Sequence, residues 1–105
     1  MIVKASQGQK RTFKGVEFDV LAVGLKSMVT KMIYEKGVSV PFHSHSNEQS
    51  GYVLFGEVRL RFGQYDEILR AGDSYSIPAE VEHSLEALEQ SEAVDVFVPP
   101  REDYL

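Results

Sequence analysis

The sequence predicts an all-β protein built as one small sandwich or barrel. Three observations lead there. Short runs rich in Val, Ile, Tyr and Phe recur closely along the chain. Gly, Pro, Asn and Asp break those runs, and within several of them apolar and polar residues alternate. A chain of 105 residues suits one domain spanning 1–105,.

Taken in order, the runs are 16–23, 28–35, 50–55, 57–62, 67–70, 74–77, 83–87 and 93–98. In 57–62, Val58, Leu60 and Phe62 share one face while Arg59 and Arg61 share the other. A strand's period of two produces that split when one face is buried. Gly63-Gln64-Tyr65-Asp66 reads as a hairpin connection and Gly72-Asp73 as a second turn,. Pro78 ends the strand before it, because proline cannot donate a ladder hydrogen bond,. Segment 82–93 holds Leu85, Ala87, Leu88 and Ala93, a set that a short helix would also explain. Pro78 upstream and the alternation of His83-Ser84-Leu85-Glu86-Ala87 assign it to strand plus loop,.

Composition narrows the function classes. The hydrophobic fraction is 43%, the charged fraction 26% and the net charge −5, which argues against a nucleic-acid backbone as partner, since that requires a basic face. An anionic small substrate stays compatible, because one Arg can receive a carboxylate. With no Cys, disulfide and thiolate chemistry are excluded,. Lys4, Gln7, Gln9, Lys10 and Arg11 interrupt any leader-like apolar run,. No apolar stretch approaches the ~20 residues of a membrane helix. The expectation is a cytoplasmic protein without a membrane partner. A barrel this short gains from covering an edge, so a homodimer is expected.

The chain has three His, and two form His43-Ser44-His45. On a strand, residues i and i+2 point to one face, so two imidazoles could take adjacent positions on one metal. Taken alone, the pair is equally consistent with surface or hydrogen-bonded histidines. The surroundings add pattern. Gly37 precedes His43 by six residues, Gln49 follows His45 by four and Gly56 follows Gln49 by seven. Gly72, Pro78 and His83 then follow at intervals of six and five.

The segment from Gly37 through His43, His45 and Gln49 to Gly56 resembles the first cupin motif. The segment from Gly72 through Pro78 to His83 resembles the second. The resemblance implies a jelly-roll β-barrel, also called a double-stranded β-helix. It also implies one divalent metal held inside by His43, His45, Gln49 and His83. Three departures stand out: Gln49 replaces the usual Glu, Glu80 stands where Gly is usual, and Ala87 where Asn is frequent. Glu48 is one residue off register and would point elsewhere. A ligand set of three neutral His and one amide leaves the metal's full charge, which acidifies a bound water and attracts an anion. Mixed N/O ligation suits Zn, Ni, Fe, Co or Mn.

The C-terminal run Ala93-Val94-Asp95-Val96-Phe97-Val98 carries an Asp between valines. Strands disfavour that, and burial of the charge is costly. Either the Asp95 face is solvent, or Asp95 is held inside near a partner. Phe97 shares that face and would be an exposed aromatic if it were wet. Arg101 follows the Pro99-Pro100 break and is open to two readings, a surface pair with Glu102 or Asp103, or a substrate contact.

This tail, together with the His-Ser-His-Ser-Asn-Glu-Gln motif, resembles a narrower cupin group. Its members, acting in pectin and alginate breakdown, linearise 4,5-unsaturated monouronates to open-chain ketouronates. The resemblance implies a sugar-acid substrate and catalytic roles for Asp95, Phe97 and Arg101. Two other classes remain open. One is an Fe-dependent oxygenase, and the other a non-catalytic cupin that binds a metal or small molecule.

Overall fold

The computed structural model describes residues 1–105. Ten strands run in chain order: β1 Gln9–Phe13, β2 Val16–Val23, β3 Met28–Tyr34, β4 Ser39–His43 and β5 Glu48–Phe55, then β6 Glu57–Phe62, β7 Tyr65–Arg70, β8 Ser74–Ile77, β9 His83–Ala87 and β10 Ser91–Val98. Single 3-10 turns at Ala5–Gln7 and Glu102–Tyr104 are the only helical pieces. No helix is long and apolar enough to cross a membrane. One sheet has the order β1-β2-β3-β10-β5-β8 and the other β4-β9-β6-β7. All pairings are antiparallel. This is the all-β, two-sheet architecture expected from the sequence.

Two strands, β1 and β4, went unanticipated, and both occupy sheet edges. β1 reads Gln-Lys-Arg-Thr-Phe and buries no residue, so it carries no apolar period. β4 contains Pro41, which an edge tolerates because one side of an edge strand has no ladder to feed,. The β6–β7 hairpin is tighter than expected. Its turn is Gly63-Gln64 alone, while Tyr65 and Asp66 pair with Phe62 and Arg61. Segment 82–93 is strand and loop, as alternation requires.

The core lies between the inner faces of the two sheets. Phe18, Met28, Val53, Val58, Ile77 and Phe97 are fully buried there. Truncating a ring such as Phe18 to Ala would cost about 3–5 kcal/mol. The valines of β10 do not join them: Val94 and Val96 are half-buried and Val98 is exposed, while Ala93, Asp95 and Phe97 point inward. Register then decides what Asp95 meets. It faces Thr30 of β3 on one side and Gly51 of β5 on the other, and Gly51 in turn faces Tyr75 of β8.

Candidate metal centre

The histidines converge from two elements. His43 ends β4, His83 opens β9, and the two are register partners. His45 lies two residues beyond β4, in the loop before β5, so strand periodicity does not place it. The loop does so instead. The Glu80 backbone N–H donates to the His45 carbonyl at 2.8 Å. Glu80 has φ +68°, a left-handed conformation that explains the Gly usual at this position,. The ring centroids of His43 and His83 are 4.3 Å apart, and those of His45 and His83 4.9 Å. One ring nitrogen from each His lies within 4.8 Å of the others. Zn–N bonds are about 2.0–2.1 Å, so an inward turn of the rings would let all three reach one ion.

Each imidazole is oriented by the same device. Nδ1 of His43, His45 and His83 faces the backbone oxygen of Pro41, Asn47 and Val81 at 3.0, 2.9 and 2.9 Å. A carbonyl accepts only, so Nδ1 carries the proton and Nε2 offers a lone pair, the arrangement typical of metal-ligating histidine. His45 supplies the test of fit. Its Nε2 sits 3.0 Å from Oε1 of Gln49, and Gln49 Nε2 donates to Oδ2 of Asp95 at 3.1 Å. Two lone pairs thus face each other unless His45 is an imidazolium. Burial pushes the His45 pKa down, and Arg101 adds to this. A metal cation between Nε2 and Oε1 satisfies both acceptors. The residues present therefore fit a divalent ion held by His43, His45, His83 and Gln49, with Glu48 turned outward to solvent.

Asp95 belongs to this site and not to a wet face, since its exposure is 0%. Tyr75 donates its hydroxyl to Asp95 Oδ1 at 2.5 Å. No cation pairs with the carboxylate. Burial pushes its pKa up to about 6, although hydrogen bonds from Tyr75 and Gln49 pull the other way. His83 moves oppositely: burial pushes its pKa down to about 4, and the Val81 carbonyl only partly offsets that. Burial also lowers His43, and Arg101 and Lys14 lower it further.

Phe97 and Arg101 line the same cavity as His43, Gln49, His83 and Asp95. Phe97 stands edge-on to His45 with ring centroids 5.7 Å apart. Arg101 is buried against the cavity and is not a surface residue. It pairs with Asp103, Nε to Oδ1 at 3.1 Å and Nη2 to Oδ2 at 2.7 Å, yet it is only 5% exposed. Its guanidinium stacks on Tyr104 at 4.0 Å and lies 5.0 Å from the Phe13 ring. Asp103 occupies the bidentate edge, which leaves Nη1 as the free donor. About 40 Å³ of the cavity is open to the centre of a water molecule. That is room for an ion and a few waters, not for a sugar enclosed whole.

Sequence reasoning missed Phe13, Tyr34, Tyr75 and Tyr104, all of which line the cavity. The period of two in β3 puts Tyr34 beside Met28, Thr30 and Met32, and that signal was available. Tyr34 is buried. The alternation of Ser74-Tyr75-Ser76-Ile77 likewise puts Tyr75 on the face of Ile77, whereas Tyr104 carried no signal, because only the final turn brings it inward.

A cupin-domain family model matches residues 30–99. Among solved structures, an RmlC-like cupin from Shewanella frigidimarina is 27% identical with a TM-score of 0.91 and covers 99% of this chain and 95% of its own. KdgF from Halomonas sp. is 24% identical with a TM-score of 0.88 and 98% coverage of both chains. A predicted oxalate decarboxylase from Thermotoga maritima is 22% identical with a TM-score of 0.80, covering 95% of this chain and all of that one. No curated protein matches the sequence significantly. With the matched segment holding all three histidines, Gln49 and most of the barrel, the chain belongs to the cupin family.

Proposed function

We propose that the protein is a metal-dependent cupin that converts 4,5-unsaturated monouronates to linear ketouronates. One arrangement carries this reading: Asp95, Phe97 and Arg101 reach the same cavity as His43, His83 and Gln49, from a later segment of the chain. The conversion is redox-neutral. The proton of the ring C1 hydroxyl leaves, the bond from C1 to the ring oxygen breaks, and an aldehyde and an enolate result. A proton then reaches C4 and yields the ketone, so product and substrate are isomers.

A divalent metal at His43, His45, His83 and Gln49 would supply a Lewis acid that polarises a substrate oxygen. Asp95 has a pKa raised to about 6, close to the range in which one carboxyl group both accepts and returns a proton,. The free Nη1 of Arg101 is the donor for the uronate carboxylate, with its charge held in place by Asp103,. Phe97 forms an apolar wall beside His45. Because the interior is small, the sugar sits at the mouth, where Phe13, His43 and Arg101 meet.

The test is loss of the 4,5-unsaturated absorbance in metal-loaded protein, measured against spontaneous decay. Acceleration is expected. Asp95→Asn should cut it by about 10²–10⁴-fold, and Arg101→Ala should raise KM more than it lowers kcat. Wild-type protein that gives no acceleration ends this reading. The small interior favours a second one, an iron cupin that takes up dioxygen, which oxygen consumption by the iron-loaded protein would reveal.

A further inference from the structure

Asp95, Gly51 and Tyr75 form one row across β10, β5 and β8. Neighbouring strands lie about 4.8 Å apart, so Asp95 and Tyr75 stand two strand spacings from each other. A side chain on the middle strand would separate them. Gly51 has none, and a Cβ there would overlap the Tyr75 ring, its hydroxyl and Asp95 Oδ1. The Tyr75 ring lies over Gly51, and its hydroxyl reaches Asp95 Oδ1 at 2.5 Å.

The other carboxylate oxygen reads Gln49. A side-chain amide has two ends of nearly equal shape, and only the oxygen can ligate a metal. A carboxylate accepts only, so Asp95 Oδ2 admits the NH₂ end, at 3.1 Å. Oε1 is left facing Nε2 of His45 at 3.0 Å. We propose that Tyr75 is a positioning residue: by holding Asp95 across Gly51, it orients the Gln49 amide so that its oxygen faces the metal. Tyr75 acts at two removes. Without its hydroxyl, Asp95 loses the donor that fixes its rotation, and the Gln49 amide is free to present the end that cannot ligate.

The inference rests on the metal reading of this site and is independent of any uronate chemistry. The probe is Co(II), titrated into apo-protein and followed by its visible absorption, with circular dichroism and thermal melts as folding controls. Tyr75→Phe should weaken Co(II) about 10–100-fold, the usual cost of losing an outer partner of a ligand, and should shift the visible bands. In a Gln49→Ala background no amide remains to be oriented, so adding Tyr75→Phe should cost no more than about threefold. Asp95→Asn should weaken Co(II) by a factor similar to that of Tyr75→Phe, because an Asn amide can turn either end to Gln49 and the Tyr75 hydroxyl can accept as well as donate, so the selection of the NH₂ end is lost. A Tyr75→Phe protein with wild-type affinity and spectrum overturns the proposal. So does an equal loss in the Gln49→Ala background. Should Tyr75→Phe not fold, Asp95→Asn decides: a loss that disappears in the Gln49→Ala background supports orientation of the amide, and wild-type affinity and spectrum overturn it. Wild-type protein that takes up no Co(II) ends the metal reading and this inference together.

Discussion

The interior of the six-stranded sheet and the outer face of the β6–β7 hairpin each place an aspartate in a strand, with opposite consequences. Asp66 is on the hairpin surface, where Arg59 donates Nε to Oδ1 and Nη2 to Oδ2, both at 2.7 Å. The Arg59 guanidinium holds the Asp66 carboxyl below the usual range. Asp95 has no cation, only the hydroxyl of Tyr75 and the amide of Gln49, and burial drives its pKa the other way. The surface pair has two charge-assisted contacts to one guanidinium, yet water competes for both partners,. The buried group has neutral partners and a desolvation cost, and such sites are where proton chemistry and ligand orientation concentrate. Geometry alone therefore does not rank the two, and burial does.

The largest effects should come from the buried side. His83→Ala removes a ligand outright, so metal affinity should fall by more than the about 10–100-fold expected for an outer partner. Elemental analysis of purified protein checks this, and undiminished metal would end the ligand assignment.

A second test separates the carboxylate's electrostatic cost from its role. Asp95 binds a proton more tightly folded than unfolded, so its contribution to stability is present below about pH 4 and lost as pH rises through about 6,. His83 binds a proton less tightly folded than unfolded, so its contribution is present above about pH 6.5 and lost as pH falls toward about 4,. Between about pH 4 and 6 the two slopes oppose each other in apo-protein. His43 and His45, both lowered, leave a net loss of stability on the acid side. Asp95→Asn removes the opposing slope. The apo variant should gain on the order of 2 kcal/mol at pH 8, and much less at pH 4. Thermal melts of apo-protein at both pH values measure it, and an equal gain at each would contradict the assigned direction.

Smaller still is the strain at Glu80. Its left-handed backbone costs an L-residue about 1–2 kcal/mol, so Glu80→Gly should raise Tm by a few degrees without changing metal affinity,. At the end of the scale lies the surface pair. Arg59→Ala should move Tm by no more than about 2 °C. A shift as large as that from Asp95→Asn would erase the contrast between the two regions.

Much was legible in the sequence because it was local. Period-two alternation located β6, β8 and β9 with their limits, and it turned segment 82–93 away from helix. The motif spacings placed His43, His45, Gln49 and His83 together. Gly37, Gly56 and Gly72, the glycines that mark those spacings, all adopt positive φ, so the pattern records backbone demands that a single residue type meets,. β1 and β4 were not legible, because edge strands need no apolar face and tolerate Pro41,.

By itself the sequence determined the all-β class, the four ligand candidates that the resemblance to the cupin motifs implies, and that Ala93, Asp95 and Phe97 share one face of the last strand. Those follow from alternation and from the match of motif spacing to a known family. Only the tertiary structure decided what Asp95 does there. Alternation left two faces open to it, and the choice was made by strand order, which sets β10 between β3 and β5 and β8 beyond them. That order brings Tyr75 across Gly51 and turns an unpaired strand aspartate into the group that holds Gln49. Strand order depends on contacts between residues dozens of positions apart, and no local pattern records them.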